Sequence, residues 1–548
     1  MKYLLLATAA LSSTLAFAAE PQFDMKRVSD DIRVMSADDF QGRAPATVGE
    51  TKTVAFLIEK MKAAGLEPGG SIGTDGKRGW TQDVPLRMSD IVGKPNLSLS
   101  YGGKAHALNQ GKEIAVRAAL TGQDSVTLKD APLLFVGYGI KAPERSWDDF
   151  KGQDVKGKIL VVLINDPDFE GPEGKFGGKA MTYYGRWTYK YEEAARQGAA
   201  GVLIVHETAP ASYGWATVAS SNPNTMFDIV RADPKSAHTP FESWIQRDVA
   251  VDLFKASGLD FEKLRADARK DSFQPVPLKA TLSADYKVKT EVITSKNVMG
   301  RLTGTKYPDE TVAYTAHWDH IGVGEPDANG DNIFNGALDN ASGIASLLEL
   351  GRAFKAAGPA ERSVLFLAVT AEEKGLLGST YYASNPVYPL GKTVGVINMD
   401  GTIGPGPAKD FTISGTAKLG LLDMLIEEGK KAGRTYTPDP RVEAGGFFRS
   451  DHFPMAKVGV PAISFGGGID LVNGGVAAGK AWRDAYIKDK YHQPDDEWSP
   501  DWNMDGAKLD MGLLYSLGRR LADGRDWPNW SQDSEFRAAR DVSAAERR

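Results

Sequence analysis

Val364-Leu365-Phe366-Leu367-Ala368-Val369-Thr370-Ala371-Glu372-Glu373 sets the frame for the whole chain. Six apolar residues in a row present no polar face to water, so the run reads as a strand buried on both sides, as in a parallel sheet covered by helices. It stops at two neighbouring carboxylates, whose side chains leave an extended backbone in different directions. One can hold a metal while the other moves a proton. By itself the pair would also serve as a solvated turn, and the buried strand before it favours the active reading.

Working outward, the pattern repeats. Val312 to Thr315 runs into Ala316-His317-Trp318-Asp319-His320, and Val394 to Ile397 runs into Asn398-Met399-Asp400-Gly401. Strands alternating with helices from Asn297 onward imply an α/β sheet sandwiched between helices, whose strand ends line the functional crevice. Alternation places His317 and Asp319 on one face, where the carboxylate would hold the second ring nitrogen of a ligand histidine. Asn335 to Gly343 precedes an apolar helical run, so Asp339, taken alone, reads as a helix N-cap. Lys490-Tyr491-His492-Gln493-Pro494-Asp495-Asp496 reads as a loop presenting a histidine beside a tyrosine. Asp327-x-Asn329-x-Asp331 opens like a calcium loop, but Asn332 and Leu338 stand where the glycine and the bidentate glutamate belong.

Four of the seven histidines, His317, His320, His452 and His492, fall in this region, while His106, His206 and His238 read as structural. Three carboxylates and two histidines at strand ends and loops suit two zinc ions sharing one bridging aspartate. The absence of cysteine excludes disulfides, thiolate metal sites and a cysteine nucleophile. A formal charge of -6 and a pI near 5.8 give no basic patch for nucleic acid. At 42% hydrophobic and 25% charged residues, with no long apolar run after the N-terminus, the composition is neither disordered nor membrane-spanning.

A length of 548 residues predicts two domains, possibly with an insertion. Residues 1–18, ending Ala16-Phe17-Ala18, read as a signal peptide, so the chain is expected to be exported, periplasmic or secreted. Val54, Phe56, Leu57, Met61 and Leu66 have helical spacing within residues 19–91. Residues 92–288 change to short β-like runs with one helix, Lys190 to Gln197, and read as a separate β-rich domain. Residues 289–525 carry the main α/β part, and no function is assigned to residues 526–548.

In combination, the ordered series His-x-Asp, Asp-Asn, Glu-Glu, Asp-Gly and a late His resembles the di-zinc aminopeptidases of metallopeptidase family twenty-eight, which also contains glutamate carboxypeptidases. The resemblance covers about Asp30 to Arg520 and implies a three-layer α/β/α domain with a mixed central sheet. It implies that His317 and Asp400 hold one zinc, that Glu373 and His492 hold the other, and that Asp339 bridges them. Asp319 would orient His317, Glu372 would be the general base toward a metal-bridged water, and Tyr491 would stabilise the oxyanion. Ser450-Asp451-His452-Phe453 matches a segment near the substrate pocket, with His452 not a ligand. Residues 92–288 resemble an inserted protease-associated domain through Phe135-Val136-Gly137-Tyr138-Gly139, Gly157-Lys158-Ile159-Leu160-Val161 and Ala194 to Gly201.

The implied activity is release of N-terminal residues from peptides with a free N-terminus. A carboxypeptidase or dipeptidase would use the same metals and would be marked by carboxylate-recognising arginines, of which Arg449 alone stands within these motifs. A glutaminyl cyclase would use one zinc, and a non-catalytic binding protein would not need Glu372. Phe447, Phe448, Phe453 and Phe465 would line an apolar pocket or fill the core.

Overall fold

Alternation along the buried strands divides their side chains between two cores. Val312, Tyr314 and Ala316 of strand Tyr307–His317, with Val364, Phe366 and Ala368 of Arg362–Val369, pack into one apolar cluster. Ala313, Leu365, Leu367 and Val369 pack into another on the opposite face. Helices Met25–Met35, Ser342–Ala356, Gly420–Lys431 and Asp505–Asp523 close the first cluster. Leu377–Ser384 and His452–Lys457 close the second. The result is three layers, helices on both faces of a sheet, in a computed structural model that describes residues 21–547. The leader expected over residues 1–18 lies outside the described residues.

Within this part the strand order is Asp410–Ile413, Ala462–Gly467, Thr393–Met399, Tyr307–His317, Arg362–Val369, Val276–Leu302. The middle four are mutually parallel and the strands flanking them run against them, with Thr435–Tyr436 paired beyond Asp410–Ile413, so the sheet is mixed. The first helix is tied across the layer by Arg27, whose Nε lies 2.9 Å from Oε2 of the buried Glu349.

Strand Val276–Leu302 does not stop at the sheet edge. Val298 to Leu302 pair with Arg362–Val369, while from Ala280 to Val298 the strand pairs with Thr81–Tyr101 and forms a long two-stranded ribbon. Its first half also pairs with Ser125–Phe135 and carries the sheet into a second lobe. There Ile159–Leu163, Gly201–His206 and Phe241–Gln246 run parallel, with helices Trp187–Gln197 and Arg247–Ala256 packed beside them over separate apolar clusters. The block expected to be β-rich is therefore α/β in its centre: continuous apolar strands need helical cover on both faces. Positions 92 and 288 fall inside the ribbon, where Val92 pairs with Lys287 and Ile91 with Val288. Residues after 526 pack closely, with Trp530 and Phe536 in the first core and Glu535 3.1 Å from Arg145 of the second lobe.

Helix Asp505–Asp523 lies close enough to the sheet for the Tyr314 hydroxyl to donate to the Leu514 carbonyl at 2.7 Å, and a Cβ at Gly518 would overlap that hydroxyl. Gly518→Ala is expected to cost about 1–3 kcal/mol by overpacking, seen as a lower urea midpoint at unchanged m-value.

In the second lobe His238 lies 3.2 Å from Asp228 and 2.9 Å from Glu242, which also bind Arg231 and Arg117. Burial opposes its charge, but the two carboxylates hold the imidazole up to about 9, against 6.5 for a free histidine. Its contribution is therefore complete below pH 6.5 and lost as pH rises through about 9. The stability gap between wild type and His238→Gln, measured by denaturant titration, should be widest in acid and close in alkali.

Candidate metal centre

Three adjacent parallel strands end at one edge of the sheet. His317 closes its strand opposite Val369, and Thr315 stands opposite Asn398, so Asp400, two residues on, comes level with His317. The turn after Val369 carries Glu372 and Glu373 to the same edge, with Ala371 in the left-handed region at φ 53°. Donor atoms of His317, Glu372 and Glu373 lie within 4.8 Å of one another, as do those of His317, Asp339 and Asp400.

Asp339 stands in an irregular turn before helix Ser342–Ala356, and does not cap it. Asn340 takes that part, its Oδ1 accepting from Gly343 N at 3.0 Å and Gly401 N at 3.1 Å. Asp339 is instead aimed by the carboxylate of Asp496, which accepts from Leu338 N at 3.1 Å and Asp339 N at 3.0 Å. One Asp339 oxygen lies 3.2 Å from His317 Nε2, which is 3.4 Å from Asp400. The other lies 3.2 Å from His492 Nε2, which is 3.2 Å from Glu373. Two ligands on one zinc at about 2.0–2.2 Å in a tetrahedron stand about 3.3 Å apart, whereas a direct imidazolium–carboxylate hydrogen bond closes to about 2.8 Å. The donor spacing therefore suits a cation at His317, Asp339 and Asp400; at Glu373 the donors of His320, Asp339 and Glu373 also lie within 4.8 Å of one another, with His492 beside them.

The charge balance points the same way. Asp319, Asp339, Glu372, Glu373, Asp400 and Asp451 crowd around three imidazoles, those of His317, His320 and His492. Burial, aided by Glu373, Asp451 and Asp400, pushes Glu372 well above the usual carboxylate range against the pull of His317. Burial alone would lower His317, yet Glu372, Asp339 and Asp400 hold it well above the ordinary imidazole value. Burial and then the carboxylates of Asp339 and Glu373 push the Tyr491 phenol up, so it keeps its proton; the ring stacks on His492 at 3.9 Å and is 45% exposed.

The Asp319 carboxylate does not bind His317 Nδ1 as alternation suggests. The strand ends at His317, and Nδ1 faces the Asp319 backbone carbonyl at 3.1 Å, with the nearer carboxylate oxygen at 3.9 Å. That carboxylate accepts from the backbone N–H groups of Glu372 and Glu373 at 3.0 and 3.3 Å, and so fixes their turn.

Three residues that motif reading passed over also build the site. Arg43 is fully buried and donates to Met35 O, Trp318 O, Asn335 O and Gly336 O, clamping the loop after His317 to the turn before Asp339. Asp496 holds that turn from the other side. His320 Nδ1 lies 2.7 Å from Glu373. Ser450 Oγ donates to Asp400 at 2.7 Å and accepts from Asn398, while the neighbouring His452 is a core group, brought down to about 3 by burial and set edge-on to Phe447. Phe447, Phe448, Phe453 and Phe465 all belong to the buried core, and Phe448 and Phe453 also reach the cleft. That cleft holds about 630 Å³; Glu372, Tyr491 and His492 face Trp187, Tyr191 and Phe227 of the second lobe across it.

Residues 297–512 match the model of Peptidase family M28 and form a domain of that family. Among curated relatives, this chain is 31% identical over 217 residues to the glutamate carboxypeptidase 2 homolog of Caenorhabditis briggsae, a match covering 34% of this chain and 26% of that protein. It is 29% identical over 176 residues to aminopeptidase YwaD of Bacillus subtilis, covering 31% and 35%. The matched stretches thus span about a third or less of these relatives. Among solved structures, an aminopeptidase from Aneurinibacillus sp. strain AM-1 aligns over 92% of this chain and 94% of its own, with 18% identity and a TM-score of 0.48.

Asp496→Asn keeps the size of the side chain but removes one of the acceptors that aim Asp339. Zinc affinity, measured by chelator competition, should fall about 10- to 100-fold with circular dichroism unchanged.

Proposed function

We propose that this chain is an exported two-zinc exopeptidase that removes N-terminal residues from peptides. The observation that carries the reading is the shared carboxylate of Asp339, with a histidine and a second carboxylate grouped at each oxygen. His317 and Asp400 would hold one ion, Glu373 and His492 the other, and Asp339 both; imidazole and carboxylate donors suit zinc. When bound, the pair lowers the pKa of water and polarises the scissile carbonyl.

The remaining steps belong to the chain. Glu372, at the same strand end as the ligand Glu373, accepts the proton of the attacking water as its carboxylate and returns it to the leaving amine. The protonated Tyr491 hydroxyl donates to the developing oxyanion. Asp319 fixes the turn that holds the base beside the ligand Glu373. Residues 92–288 act as an inserted protease-associated domain, whose side chains wall the cleft and limit which peptides enter.

Metal analysis of purified protein should give two zinc ions per chain and Asp339→Asn fewer. Glu372→Ala should lose about 10²- to 10⁴-fold in kcat at unchanged zinc content. Hydrolysis of an aminoacyl anilide in preference to an N-blocked peptide is the expected result; the reverse preference would make the enzyme a carboxypeptidase.

A further inference from the structure

Of the six arginines and lysines around the cleft, three are matched by carboxylates, and a fourth, Lys374, stands 5.8 Å over the ring of Phe227. Arg117 has Glu242 at 3.2 Å, Arg231 has Asp228 at 2.6 Å, and Lys457 has Glu192 at 2.7 Å. Arg186 and Arg449 line the same cleft, and among the described residues neither has a carboxylate within 4.0 Å. Arg449 donates only to the Ala444 carbonyl at 3.1 Å and the Ser212 hydroxyl at 3.3 Å. The Nε of Arg186 is buried without a hydrogen-bond partner. Burial, and then the charge of Arg449 beside it, brings the Arg186 guanidinium down to about 10. Two like charges are thus held together in a half-desolvated wall, an arrangement that costs stability unless an anion completes it.

The anion that a peptide cleft meets is a carboxylate, and planar guanidiniums bind it through paired N–H···O bonds. The position is close to the chemistry. Arg449 precedes Ser450, whose hydroxyl donates to Asp400 at 2.7 Å, so one residue separates the arginine from the metal centre. Arg186 comes from the second lobe, at the start of helix Trp187–Gln197.

We propose that Arg186 and Arg449 form a carboxylate subsite, shared between the two lobes, that selects peptides bearing a negative charge close to the bond that is cut. The proposal rests on the peptidase reading above and names its substrate class. The carboxylate is either an acidic side chain of the substrate or the free C-terminus of a short peptide. It also gives the second lobe a direct part in recognition, since half of the subsite is its own.

Two substrate pairs on the zinc-loaded full chain separate the sources. Glu against Gln at the second position of a peptide amide tests the side chain. A dipeptide against its C-terminal amide tests the terminus. Wild type should favour at least one carboxylate partner by roughly 10- to 100-fold in kcat/KM, mainly through KM. Arg186→Gln and Arg449→Gln should bring that ratio close to one. Arg449 is exposed, so its variant carries little folding burden. Equal rates within both pairs, or a ratio that survives both substitutions, would overturn the proposal. Binding of N-acetylglutamate, followed by calorimetry, keeps the test independent of turnover: affinity should fall about tenfold or more in Arg186→Gln. Unchanged affinity there would sink the subsite even in an active enzyme, whereas loss of affinity without hydrolysis of any peptide would sink only the peptidase reading.

Discussion

The shared carboxylate of Asp339 is the constraint around which the rest of the structure is arranged. Two imidazoles lie 3.2 Å from its oxygens, and each of them stands 3.2–3.4 Å from a further carboxylate, too many like charges for a desolvated corner unless cations neutralise them. Holding such a set open requires every donor to be fixed from behind. The sheet does this for His317, Asp400 and the Glu372–Glu373 turn by ending three parallel strands at one level. Hydrogen bonds do it for Asp339, whose turn Asp496 and Arg43 grip from opposite sides, and reinforce it for the glutamates, whose backbone amides Asp319 grips beyond the central strand.

The second lobe contributes no metal donor, yet the cleft is incomplete without it. Trp187, Tyr191 and Phe227 stand across from Tyr491 and His492, so access to the metal centre is set by the contact of two lobes. That contact is secured at several points away from the cleft, including Arg145 with Glu535 and Lys457 with Glu192. The C-terminal residues, unremarkable as sequence, therefore tie the lobes together.

Residues whose local pattern matches their duty were legible in the sequence. Apolar runs ending at His317, Glu372 and Asp400 announce both a buried parallel sheet and the edge where chemistry gathers, because strand burial and strand ends are local properties. Asp339 was half legible: alone it passes for an N-cap, and only the neighbouring Asn340, which makes the cap-like bond, frees it for another use. Arg43 and Asp496 were not legible. Their partners lie 275 and 158 residues away; nothing near Arg43 distinguishes it from a surface charge, and Asp496, although it closes the motif that carries His492, gives no local sign of its hold on Asp339. The cluster of cleft arginines escaped for the same reason, since only Arg449 lies within a motif and the others arrive from the second lobe. Of that lobe's helices, the one expected over Lys190 to Gln197 lies within Trp187–Gln197, while Arg247–Ala256 was missed where short apolar strands dominated the pattern.

The ribbon of Thr81–Tyr101 and Val276–Leu302 also bears on how such a chain assembles. The first helix must find the helix that carries Glu349, 325 residues away, a contact that would ordinarily make folding slow. Once the second lobe has folded, however, its entry and exit strands leave it side by side, Val92 opposite Lys287. To the remaining chain the whole lobe then acts as a tight hairpin, and the loop that has to close is shorter by nearly the entire insertion. The same pairing that carries a wall to the cleft thus lets an early segment and a late one meet as though they were neighbours.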